Sequence, residues 1–150
     1  MSIEILIFVV VLAATLFNNG IQAYIHFEAY PLFAYVGRGE FSTYLTEYER
    51  RLTIPLVLPY LVTVLSNIAL LFLRPDDVPL IGVVVVLILN LAVSITTLML
   101  ANPVYNQIKQ GGVADSAAMS RLMNINLLRL VLSTLASLVL LYLLIDLLNN

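Results

Sequence analysis

Four long apolar runs dominate the chain: Ile3 to about Ile25, Thr53 to Leu73, Pro79 to Ala101 and Leu122 to Leu148. Each supplies the roughly 20 mostly apolar residues that a helix needs to cross hydrocarbon. None shows the strict two-residue alternation of a barrel strand, and backbone in lipid must satisfy its own hydrogen bonds. The pattern therefore predicts an all-α fold, an integral membrane four-helix bundle forming a single transmembrane domain over residues 1–150. Glu4 is the only early charge and no basic segment leads the first run, so that run reads as a retained span rather than a secretory signal.

The pattern changes between the first two runs. Phe41, Tyr44, Leu45, Tyr48 and Leu52 recur at helical spacing, with Glu40, Glu47, Glu49, Arg50 and Arg51 between them. This predicts an amphipathic helix over 40–52, either lying at the membrane interface or extending span two early. The second connection, Arg74-Pro75-Asp76-Asp77-Val78-Pro79, reads as tight, with prolines ending one helix and starting the next. Gly111-Gly112 should break the third.

Polar positions inside the runs are also periodic. Asn18, Gln22 and His26 stand four residues apart in span one, with Asn19 alongside. Pro59, Thr63 and Asn67 repeat the spacing in span two, beside Ser66. Asn90, Ser94 and Thr97 share a face of span three, and Asn126, Arg129, Ser133 and Ser137 a face of span four. A polar group in hydrocarbon needs a partner, so the four stripes are expected to turn inward, as helix-to-helix contacts or as the lining of a site.

Composition sharpens this picture. Charged residues make up only 11% of the chain and apolar ones 61%, against about 25% charged in a soluble domain. The net charge of −2 gives no basic field for nucleic acid. The lack of cysteine removes disulfides, thiolate chemistry and iron–sulfur clusters. Arg38, Arg50, Arg51, Lys109 and Arg121 fall in or beside the loops after spans one and three, against Arg74 alone in the loop between spans two and three. Both termini are therefore expected on the non-cytoplasmic side of a multi-pass protein.

Arg129 stands about two turns inside span four, where an unpaired cation costs about 2.5–3.5 kcal/mol or more. His26 ends span one on the same side, and Glu28, Glu47, Arg50 and Arg51 come from the loop that returns over it. This suggests a mouth lined by His26, Glu28, Glu47 and Arg129 as candidate catalytic groups. Asn18, Gln22, Tyr48, Tyr105 and Asn126 are candidate ligand-binding residues. Glu47 and Glu28 are the expected anionic partners of Arg129, and Arg129→Leu is then expected to cost about 3–5 kcal/mol. Snorkelling of Arg129 to the headgroups is the competing expectation. No metal-ligand spacing exists, so no metal site is assigned. The single histidine leaves one axial ligand for a haem or pigment, and no cofactor follows from the residues.

Several short segments carry a resemblance. His26-x-x-x-Tyr30-Pro31-Leu32-Phe33, Phe41-x-x-Tyr44, Arg50-Arg51, Asn102-Pro103-Val104-Tyr105-Asn106 and Asn126-x-x-Arg129 occur in that order. In this the chain resembles small bacterial four-span membrane proteins of unknown function, similar to the anthrone-oxygenase-like family. The resemblance implies, for some members, cofactor-independent oxidation of polycyclic phenols. Relatives of this kind carry histidine where Tyr48 and Tyr105 stand and threonine where Leu130 stands.

Two functions of different class follow. One is a membrane protein that binds or transforms a quinone-like or polyaromatic small molecule at the cytoplasmic mouth. The other is an accessory or structural subunit of a larger membrane complex, such as a pigment- or quinone-containing one. A transporter is disfavoured, because no inverted repeat or broken helix pair is present. The lipid bilayer is the partner common to both.

Overall fold

A computed structural model describes residues 2–111 and 116–149. Four helices are long and apolar enough to cross a membrane: α1, Ile3–Tyr35; α2, Phe41–Phe72; α3, Leu80–Gly111; and α4, Ser116–Asn149. They form an antiparallel ring in which each packs on two neighbours, α1 on α2 and α4, and α3 on α2 and α4. This is the four-helix membrane bundle expected from the hydropathy pattern, and it fits a multi-pass membrane protein.

The helices outrun the apolar runs. At 1.5 Å per residue a 32-residue helix is about 48 Å long, against about 30 Å of hydrocarbon. The excess lies at one end of the bundle. There α1 and α3 continue past Ile25 and Ala101, while α2 and α4 begin well before Thr53 and Leu122. The amphipathic segment 40–52 is thus the opening of α2 rather than a separate interfacial element. Its apolar face packs on the neighbouring helix extensions, which buries Phe41 and Leu45 completely.

Local chemistry explains the boundaries. The Ser2 hydroxyl caps α1 by accepting from the Ile5 N–H. The Gly37–Glu40 turn separates α1 from α2, with the Glu40 N–H donating to the Gly37 carbonyl. The tight second connection is present: the Val78 N–H donates to the Pro75 carbonyl, and Arg74 Nε donates to the Val78 carbonyl at 3.2 Å. α3 is described as far as Gly111, and Gly112, the other residue of the expected break, lies outside the described residues. Two helices contain a wide π-turn where the apolar run meets the extension, Ile25–Ala29 in α1 and Thr97–Ala101 in α3.

The core has two parts. Phe8, Val11, Leu70, Val83, Val86, Ala136, Leu140 and Leu143 fill the end that carries the termini. Ile25, Tyr30, Phe33, Phe41, Leu45, Val104, Ile108 and Leu122 fill the opposite end, here called the head. Between and beside them the polar stripes turn inward: Gln22, Thr63, Asn67, Asn90, Asn126, Arg129, Ser133 and Ser137 are all buried.

Candidate functional site

The polar layer is knitted mainly through α1. Asn18 Nδ2 donates to Thr63 Oγ1 at 2.7 Å and, less closely, to the Pro59 carbonyl at 3.4 Å. Asn19 Nδ2 donates to Ser133 Oγ at 2.9 Å and Thr134 Oγ1 at 2.8 Å. Asn126 Nδ2 donates to the Gln22 carbonyl at 3.1 Å. These bonds fasten α1 to α2 on one side and to α4 on the other.

Arg129 is only 4% exposed, so it is buried rather than snorkelling. Its Nη2 donates to Gln22 Oε1 at 2.6 Å, and the Tyr30 side chain lies against the guanidinium. Its Nε has no hydrogen-bond partner, and none of the ion pairs among the described residues includes it. The expected partner is elsewhere: Glu47 pairs with Arg50 at 2.8 Å and Arg51 at 3.6 Å along its own helix, and Glu28 is exposed. A helical carboxylate with cations three and four residues away is already neutralised locally. The cation in the bundle is therefore held by a neutral amide.

Two cavities meet at Arg129. The first, of about 190 Å³, runs toward the middle of the bundle between Asn18, Gln22, Tyr60, Asn90, Ser94 and Ser133. The second, of about 390 Å³, lies under the head, lined by Tyr30, Tyr48, Tyr105 and Glu49. Leu56, Val57, Thr97, Leu98 and Arg129 border both. Phe33 fixes the head cavity: its ring packs edge-on against Tyr48 at 5.2 Å and Tyr44 at 5.8 Å, and beside Tyr30 at 5.5 Å. The Tyr48 and Tyr105 hydroxyls are buried without a partner, as is Asn90 Nδ2 at the first cavity. Glu49 is tied to Lys109, bridging α2 and α3 at the rim.

Of the residues singled out from the sequence, the structure brings together Asn18, Gln22, Tyr48, Tyr105 and Arg129 around these cavities. Asn126 sits behind them and holds the Gln22 backbone. His26, Glu28 and Glu47 border neither cavity; His26 packs edge-on against Phe27 at 5.0 Å. The expected His/Glu/Arg mouth is therefore not assembled, and Arg129 donates instead to the neutral Gln22 amide oxygen. Sequence reasoning passed over Tyr30, Glu49 and Tyr60 as site residues. Tyr30 stands one more turn past His26 in the sequence, but it reaches the cavity through the π-turn Ile25–Ala29, which the residue spacing does not reveal. Among the described residues, no three His, Asp or Glu side chains come together to hold a metal.

Comparison with protein-family models, curated proteins and solved structures found no match.

Proposed function

We propose that the bundle binds an oxygen-bearing lipophilic small molecule at Arg129, a class that includes quinone-like and polyaromatic compounds. The reading rests on one observation. A buried guanidinium without an anion adjoins a 390 Å³ cavity that also contains two unpartnered tyrosine hydroxyls. Burying a cation against a neutral amide is costly. Leaving two hydroxyls unpaired adds about 1–3 kcal/mol each. A ligand oxygen relieves all three groups at once, and cavities of about 300–1,000 Å³ suit small molecules. The binding half faces the cytoplasm and both termini face away, as the Lys/Arg distribution favours.

The test is extraction. Protein purified in mild detergent is expected to carry a lipophilic compound detectable by mass spectrometry and absorption. Arg129→Gln is expected to lose at least nine-tenths of it while keeping its elution volume. A ligand-free protein that co-purifies with a large assembly would overturn the reading in favour of an accessory subunit. C-terminal reporter fusions active only in the cytoplasm would overturn the orientation.

A further inference from the structure

The shared wall of the two cavities also belongs to the outer surface. Val57 and Leu98 border both cavities, yet are 44% and 66% exposed on the outside of the bundle. They stand on α2 and α3, within the apolar stretches that cross the membrane, so the gap faces hydrocarbon rather than water. Both helices are distorted here. Pro55 and Pro59 remove two amide donors from α2. The π-turn Thr97–Ala101 widens α3 at the same level. Among the described residues, the side-chain bond between these two helices is the Glu49–Lys109 pair in the head above. The seams of α1, by contrast, are bonded at this depth through Asn18, Asn19 and Arg129.

We propose that this gap is a lateral portal through which a long-chain carboxylic acid enters from the bilayer and seats its carboxylate on Arg129. The proposal deepens the ligand-binding reading above and rests on it. The Glu49 carboxylate that lines the head cavity is neutralised by Lys109, so the unpaired guanidinium calls for a monoanion, and its flat fork of N–H donors matches the two oxygens of a carboxylate. Gln22 takes one hydrogen of Nη2 and Tyr30 lies against the guanidinium, while Nε has no partner and is left for the ligand. The Tyr48 and Tyr105 hydroxyls supply neutral donors beside it. A neutral oxygen would satisfy the donors but leave the charge itself uncompensated, and a dianion would exceed it. The tail runs past Leu56, Val57 and Leu98 and back through the gap, so its length is not limited by the cavity.

The chain contains no cysteine, so Val57→Cys with Leu98→Cys introduces its only two thiols. A bifunctional thiosulfonate spacer then clips the gap, and reduction reopens it. The probes are tritiated palmitate and methyl palmitate, with the full chain in lipid nanodiscs. Palmitate is expected to bind at least tenfold more tightly than the ester. That preference should vanish in Arg129→Gln and persist in part in Arg129→Lys. Clipping is expected to slow palmitate uptake at least tenfold, reversibly, with no change when either single-cysteine variant is treated. Equal affinity for the two probes overturns the carboxylate assignment. Unchanged uptake by the clipped protein overturns the portal. Specific binding of neither probe overturns the whole inference. The extraction experiment, which uses neither probe, decides separately whether Arg129 holds a ligand at all.

Discussion

The two ends of this bundle bury similar helices in different ways. Around the termini, branched aliphatic side chains and Phe8 interlock, with Val11, Leu70, Val83, Val86, Ala136 and Leu140 fully buried. Packing there is close enough that a Cβ on Gly82 would stand 2.9 Å from the Leu143 methyls. Neither cavity reaches this end. The head is built from large rings around Phe33, and beneath them lie space, an amide-held cation and hydroxyls without partners. Capacity for a ligand arises where flat rings replace interdigitating aliphatic chains and polar groups remain unsatisfied.

The comparison is broken most forcefully by large-to-small substitutions at each end. Phe33→Ala is expected to lower stability by about 3–5 kcal/mol and to empty the site, because Tyr48 and Tyr30 lose the ring that holds them. Leu140→Ala should cost about 2–5 kcal/mol yet leave ligand content unchanged. Unfolding midpoints in detergent, read beside bound ligand, check both. Loss of ligand in Leu140→Ala would show that the ends are coupled.

The Gln22–Arg129 contact gives the next largest effect, with opposite signs for its two members. Gln22→Leu removes the acceptor and should destabilise by about 1–3 kcal/mol. Arg129→Met removes a buried cation that lacks an anion, and should stabilise by roughly 1–3 kcal/mol while abolishing binding. This reverses the sign expected from a Glu47 partnership. Gly82→Ala should cost about 1 kcal/mol, because Leu143 must shift to admit the methyl group, with no effect on the head. The smallest effects come from the rim. Glu49→Gln should change stability by about 0.2–1 kcal/mol, as expected for a half-exposed pair. Glu47→Gln should leave the unfolding midpoint unchanged.

The spans were legible because hydropathy over about 20 residues is a strong signal, and the inward stripes because an amide in lipid must find a partner. Arg129 was legible as an anchor for the same reason. Its partner was not. Charge complementarity pointed to Glu47, but Arg50 and Arg51 claim that carboxylate at helical spacing, and the Gln22 amide lay nearer. The length of the helices was hidden too. Tyr, Glu and Arg in the extensions dilute hydropathy, so segments that pack as a helical head resemble loops. His26 drew notice as the lone histidine, although its ring packs on Phe27 and borders neither cavity.

The two π-turns have a geometric effect on everything beyond them. At 3.6 residues per turn, one residue added to a turn rotates the rest of a helix by about 100° about its axis. In α1 and α3 this rotation falls where the polar layer meets the head. The angular phase of Asn18 and Gln22 is thereby decoupled from that of Tyr30 and Phe33, and that of Asn90 from that of Tyr105 and Ile108. Each half of these helices presents its own inward face, though no single straight periodicity runs through both. Deleting one residue from 97–101 would restore a regular helix and swing Tyr105 away from the cavity, while the half nearer the termini kept its phase.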